Sequence, residues 1–320
     1  MISTLNHRET NSIQDNEVCR HLFYTVATGN NVTIFTVLCA INILFILISN
    51  VAVAFGLIYS KGKKSYTRNE KLVFLLSCSD VLVALIHEPL QIILVKNLKT
   101  LGCALISARG FWHVFLLLFS GSIVLLISIE QYIAVFYNNR IWGFYVKEIY
   151  LVSGIVFYFI ASMMFSLWYA IDIVRSTNVY RMSIFFFSVA TYTTFILTAV
   201  IIVNTTLLRS TLKRLGECNI RVHKKNQIER RLTVTIMFIS ITLVVTYAPS
   251  VITNFYTAII ASKDNKSDLQ NVIKPFMWTL FVCELNSAFN ALIYIGRNKK
   301  IKKMYALLFN QIVKCKKRKQ

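Results

Sequence analysis

A 320-residue chain with 56% hydrophobic and only 15% charged residues is too apolar for an ordinary soluble domain, where about a quarter of residues are charged. A formal net charge of +21 would suggest nucleic acid for a soluble protein, but the basic residues alternate with long apolar runs and so belong to loops. Those runs are solid rather than alternating, which excludes a β-barrel.

In chain order, residues 1–32 form a polar N-terminal arm without the apolar core of a signal peptide, so the first span must act as its own insertion signal. The arm holds Cys19 and, at its end, the glycosylation sequon at Asn31 (NVT). Four runs free of charge follow, Val32–Ser60, Ile149–Ile171, Met182–Leu208 and Leu232–Ser262, each longer than the roughly 20 residues needed to cross a bilayer. Three more spans, over about 70–95, 104–136 and 273–295, carry a few ionisable groups each. The fold class expected is an all-α membrane protein, a seven-helix bundle over 33–295.

With the N-terminus outside, 25 of the 35 Lys and Arg fall in the inner segments, counting 209–231 and 296–320 among them, and ten in the outer ones. That asymmetry places the C-terminus in the cytoplasm by the positive-inside rule. The basic charge then meets anionic lipid and acidic partner surfaces, not nucleic acid. No repeat or inverted symmetry supports a transporter, and five scattered His give no spacing for an enzyme's metal cluster.

Ionisable residues within spans cost about 2.5–3.5 kcal/mol each at mid-bilayer and must face the interior. Those read from the sequence are Asp80, Glu88, His113 and Glu284. Glu130 is read as sitting at a helix end, where its charge reaches the interface. Asn286, Asn290 and Tyr294 share one face of the seventh span at spacings of four, and with Asp80 they make a hard-oxygen set suited to a small cation and water. The same groups could equally serve as interhelical polar glue.

The ordered set of motifs, SN50VAV, LSCSD80, IE130QY132, YAP249 and N290ALIY294, resembles that of rhodopsin-like (class A) G-protein-coupled receptors over about residues 33–310. The resemblance implies a plasma-membrane receptor that passes extracellular ligand binding to a heterotrimeric G protein. It implies a sodium site at Asp80, Ser120, Asn286, Ser287 and Asn290, with Na⁺ as an allosteric ion. It implies switch positions at Glu130, Gln131, Tyr132, Glu229, Pro249 and Tyr294. By position it also places His113, Glu284, Glu88, Tyr247 and Trp278 at a ligand pocket, with two acids and one imidazole favouring a cationic or polar ligand group, or pH sensing. For Trp278 the alternative is an interfacial aromatic belt.

Several positions depart from the family pattern. Gln131 stands where the family has Arg, leaving Glu130 to find another partner such as Arg140 or water. Tyr247 replaces a Trp, Leu243 a Phe, and Ala291 a Pro, so the seventh helix should be straighter. The second outer loop has no Cys, leaving Cys19 and Cys103 as the expected disulfide in an oxidising compartment. These departures support an alternative, a receptor-like binding protein with weak or no G-protein signalling. A second sequon lies at Asn265. After the seventh span, Ile301, Met304, Tyr305, Leu308 and Ile312 recur at helical spacing opposite Lys. They read as a short amphipathic eighth helix on the membrane lipids, within a basic tail (296–320) where Cys315 is a palmitoylation candidate.

Overall fold

The computed structural model describes residues 30–61, 66–96, 103–136, 144–175, 179–216, 223–263 and 266–297, with some side chains at element ends undescribed. It is all-helical: α1 (Asn30–Lys61), α2 (Arg68–Leu82, Val83–His87 and Glu88–Lys96 in succession), α3 (Cys103–Phe136), α4 (Phe144–Arg175), α5 (Val179–Gly216), α6 (His223–Ser262) and α7 (Lys266–Arg297). All seven are long and apolar enough to cross a membrane. The proposed eighth helix, Cys315, the Cys19–Cys103 pairing and the Asn265 sequon lie outside the described residues, and so does the side chain of Asn31.

Burial is inverted relative to a soluble bundle. On α1, Ile34, Val37, Ile41, Leu44 and Ile48 are exposed at helical spacing, while Asn42, Ser49 and Asn50 face inward and are buried. Lipid is the natural solvent for such a surface, and polar side chains must then be satisfied inside. Many hydroxyls bond back to their own helix, as Ser122 does to the Leu118 carbonyl (2.7 Å) and Ser128 to that of Val124 (3.0 Å).

Sequential helices pack as neighbours, and α1 closes the ring against α7. The central window of α3 is 89% buried and that of α4 only 17%, so α3 is the axis of the bundle and α4 its lipid-facing edge. Small residues set the α3–α4 approach. A Cβ on Gly110 would run into the Tyr169 ring, and one on Gly154 would lie 3.0 Å from Leu126. Asn204 ties three helices together, its amide donating to Ser128 Oγ on α3 (3.0 Å) and Ser240 Oγ on α6 (2.6 Å).

Two boundaries differ from the sequence reading. The inner segment 209–231 is largely helical, because α5 and α6 run on for 38 and 40 residues. At 1.5 Å per residue that is about 57–60 Å, well past a hydrocarbon core of about 30 Å. Their Lys and Arg therefore ride on helices that project from the bilayer. At α7, Ala291 sits in unbroken helix, in keeping with the loss of the proline there.

Candidate functional site

The site starts from a backbone irregularity in α2. Pro89 lacks an N–H, and its ring clashes with the carbonyl four residues back in a regular helix. Just before it, Val83–His87 forms a π turn, and the Glu88 N–H reaches the Val83 carbonyl five residues back. Immediately around this wide turn the helix buries His87, Glu88 and Gln91, each no more than 1% exposed.

Each of the three meets a different helix. Asn42 Nδ2 on α1 donates to Glu88 Oε1 at 2.6 Å. Arg109 Nη2 on α3 donates to Gln91 Oε1 at 2.6 Å. His87 Nδ1 lies 3.1 Å from Glu284 Oε1 on α7. His113, one turn along α3 from Arg109, points Nδ1 at the same oxygen from 4.0 Å, and the two imidazole rings sit 4.9 Å apart. Glu88 and Glu284 are also neighbours. Two carboxylates, two imidazoles and a guanidinium thus share the buried centre of the bundle.

Below this group a void of about 20 Å³ is lined by His87, His113, Ser120, Tyr247, Glu284 and Ser287 among others. A second void of about 20 Å³ lies between Arg109, His113, Tyr169 and Asn254. Each has room for a water molecule or an ion, far below the 300–1,000 Å³ of a small-molecule pocket. Tyr247 closes the first from α6, its hydroxyl donating to the Leu117 carbonyl at 3.3 Å.

Deeper along the same helices lies a second polar set. Asp80, Ser120, Asn286, Ser287 and Asn290 are each at most 5% exposed, and Ser287 and Asn290 face the Asp80 carboxylate. Both Asp80 oxygens, Ser120 Oγ, both polar atoms of Asn286 and of Asn290, and Tyr294 OH are buried without a protein hydrogen bond. Asn50 Nδ2 borders them, donating to the Ser287 carbonyl at 3.0 Å. Such a concentration of unpartnered oxygens fits a hydrated small cation, since unsatisfied polar groups in a dry interior are costly.

The remaining switch positions are dispersed. Glu130 is buried (7% exposed), and α3 continues six residues beyond it to Phe136. Its partner is Arg68 at the start of α2, Nε to Oε1 2.6 Å, and this replaces the sequence expectation of a helix-end charge seeking Arg140 or water. Lys71 pairs with Glu148 of α4 nearby at 2.9 Å. Gln131 is buried beside Glu130, and the Tyr132 ring packs on Phe136. Pro249 sits within α6. Glu229 lies on the α6 backbone, its side chain outside the described residues. Trp278 stands apart from the His113–Glu284 group: it is 39% exposed and packs edge-on against Phe35 and Phe281.

No protein-family model matches the chain, and no curated protein matches it in sequence. The geometry is therefore the main guide to function.

Two members of the central group escape a reading by composition. Arg109 is counted with the outer basic residues although the span read over 104–136 includes it, and α3, beginning at Cys103, buries it to 3%. His87 hides beside the more conspicuous Glu88, although Pro89 next to both signals the irregular turn. With Arg109 included, the centre is no longer a plainly acidic pocket. The guanidinium offsets one carboxylate, and the case for a cationic ligand group weakens accordingly.

Proposed function

We propose that this protein is a plasma-membrane receptor of the rhodopsin-like kind, with its N-terminus outside and its C-terminus in the cytoplasm, that relays ligand binding to a heterotrimeric G protein. The observation that carries the reading is the buried polar column shared by α2, α3 and α7. It runs from the His87–His113–Glu284 group, past Tyr247, to Asp80 and Asn290, and it leaves many groups unpartnered. A column that is polar, packed and incompletely satisfied suits a bundle with two arrangements of similar energy, which a ligand can bias. Conduction or transport would need a wider polar path, and the two voids beside this column hold an ion or a water at most. Neither an enzymatic activity nor nucleic-acid binding is part of this reading.

The ligand would engage from the outer ends of the helices, with His113, Glu284 and Glu88 beneath it. The projecting basic ends of α5 and α6 would face the G protein and anionic lipid. In the deeper set, Asp80 with Ser120, Asn286, Ser287 and Asn290 would hold Na⁺, favouring the resting arrangement. Asp80→Asn is accordingly expected to abolish the dependence of agonist affinity, or of basal activity, on NaCl relative to choline chloride. Persistence of that dependence would remove the sodium assignment.

A second reading, a binding protein that signals weakly or not at all, is favoured by Gln131. An amide offers fewer donors than a guanidinium and no charge, and Glu130 is already committed to Arg68. Nucleotide exchange on a panel of G proteins, with wild type and Gln131→Arg in the same membranes, separates the two. Exchange driven by the wild type supports the receptor. Exchange seen only with Gln131→Arg supports the silent binder, and none with either counts against coupling altogether.

A further inference from the structure

We propose that His87, His113 and Glu284 form a binding site for a divalent transition-metal ion, Zn²⁺ by its donor chemistry, that clamps α2, α3 and α7 together inside the membrane. One ligand atom from each residue lies within 4.8 Å of the others. Two of the separations are 3.1 Å and 4.0 Å, from each Nδ1 to Glu284 Oε1. In a tetrahedral zinc site with bonds of about 2.0–2.1 Å, neighbouring donors stand about 3.3–3.4 Å apart. The first separation already fits, the second must shorten by about 0.6–0.7 Å and the third by up to about 1.5 Å, so rotamer adjustments of about an ångström close the set on an ion.

The donor set narrows the metal. Two imidazoles and a carboxylate suit Zn²⁺ and its neighbours in the transition series, whereas Ca²⁺ and Mg²⁺ prefer oxygen alone. With three protein ligands, the fourth position falls to water or a ligand group, and the void bordered by the same three side chains has room for one. The three residues are themselves under-committed. His87 Nε2 and both Glu284 oxygens are buried with no hydrogen-bond partner of good geometry, with the two imidazoles and the Glu88 carboxyl beside them.

Charge is the main objection, because Arg109 stands close by. Its Nη2 is held by Gln91 at 2.6 Å, and Glu88, fixed by Asn42, adds a second carboxylate next to Glu284. The pair of acids balances a dication, leaving Arg109 as the further positive charge at the group among the described residues. A purely structural His–Glu pair would need only one imidazole, and the second, aimed at the same oxygen, is what a metal explains.

The test uses the full-length protein in lipid nanodiscs, stripped with a chelator and then offered ZnCl₂. The wild type is expected to retain a single zinc per chain through dialysis. X-ray absorption at the zinc edge should show two imidazole nitrogens and oxygen at about 2.0–2.2 Å, with no sulfur shell at about 2.3 Å. His87→Ala, His113→Ala and Glu284→Gln should each weaken retention by at least about 10–100-fold. The triple variant His7→Ala/His21→Ala/His223→Ala, which removes the remaining histidines, should retain it unchanged. A wild type that keeps no zinc overturns the proposal whatever the variants do. So does a sulfur-containing or water-dominated shell, ligand variants that bind as tightly as wild type, or loss of the metal in the triple variant. Because the readout is metal content, the outcome is independent of whether the protein couples to a G protein.

Discussion

Arg68→Met is expected to lower the stability of the bundle by about 3 kcal/mol, and Glu130→Gln on the same background should return most of it. Arg68 and Glu130 meet at 2.6 Å with side chains only 17% and 8% exposed. Removing one partner of a buried pair strands the other charge, which typically costs about 3–5 kcal/mol. The partial exposure of Arg68 places the value at the lower end. Replacing both partners leaves no stranded charge, so the double variant should lie closer to wild type than either single one. Thermal or denaturant unfolding of the purified protein in one detergent measures all four members of the cycle. If Arg68→Met unfolds with the wild type, the pair is an incidental contact and Glu130 is held by something else.

The second large effect is expected at Arg109. Arg109→Leu should destabilise by about 3–5 kcal/mol, because Gln91 Oε1 loses its donor and Glu88 and Glu284 face each other without a cation. A competing gain must be weighed, since a charge in the bilayer costs up to about 2.5–3.5 kcal/mol on insertion. That gain is shared by the inserted but unpacked helices and largely cancels from the folding difference. The lost partners therefore dominate. Arg109→Lys keeps the charge but not the planar fork, and should fall between. A melting temperature for Arg109→Leu equal to or above that of wild type would show that the central acids do not need the guanidinium.

What was legible in the sequence and what was not follows from how each feature is encoded. Runs such as Val32–Ser60 and Leu232–Ser262 encode the spans because a bilayer selects on average apolarity over some twenty residues. The inward face of α7 was legible for a similar reason, since Asn286, Asn290 and Tyr294 keep the helical period. Pairing across helices is encoded nowhere locally. Arg68 and Glu130 are 62 residues apart, and nothing near either position distinguishes Arg68 from Arg140 as the partner. Arg109 was concealed by being counted with the outer basic residues, although its cost in the membrane is met by partners the composition does not show. The reach of α5 and α6 past the bilayer was hidden likewise, because Lys and Arg are good helix formers whose charge reads as loop only when membrane burial is the criterion.

The π turn in α2 has a consequence for how the two polar centres are linked. In an unbroken helix, Val73, Ser77, Asp80, Ala84, His87, Gln91 and Leu94 would line a single straight stripe. The wide turn at Val83–His87 lags the helical rotation, setting the segment after it about a quarter turn out of phase with the one before. Both segments pack on α1 and α3, but the earlier one presents Asp80 toward α7 while the later one presents Glu88 to Asn42 of α1 and Gln91 to Arg109 of α3. Phase, rather than composition, decides which side chains each segment turns toward those helices. Deleting one residue within 83–87 would leave the span just as apolar, yet would swing Glu88 away from Asn42 and Gln91 away from Arg109.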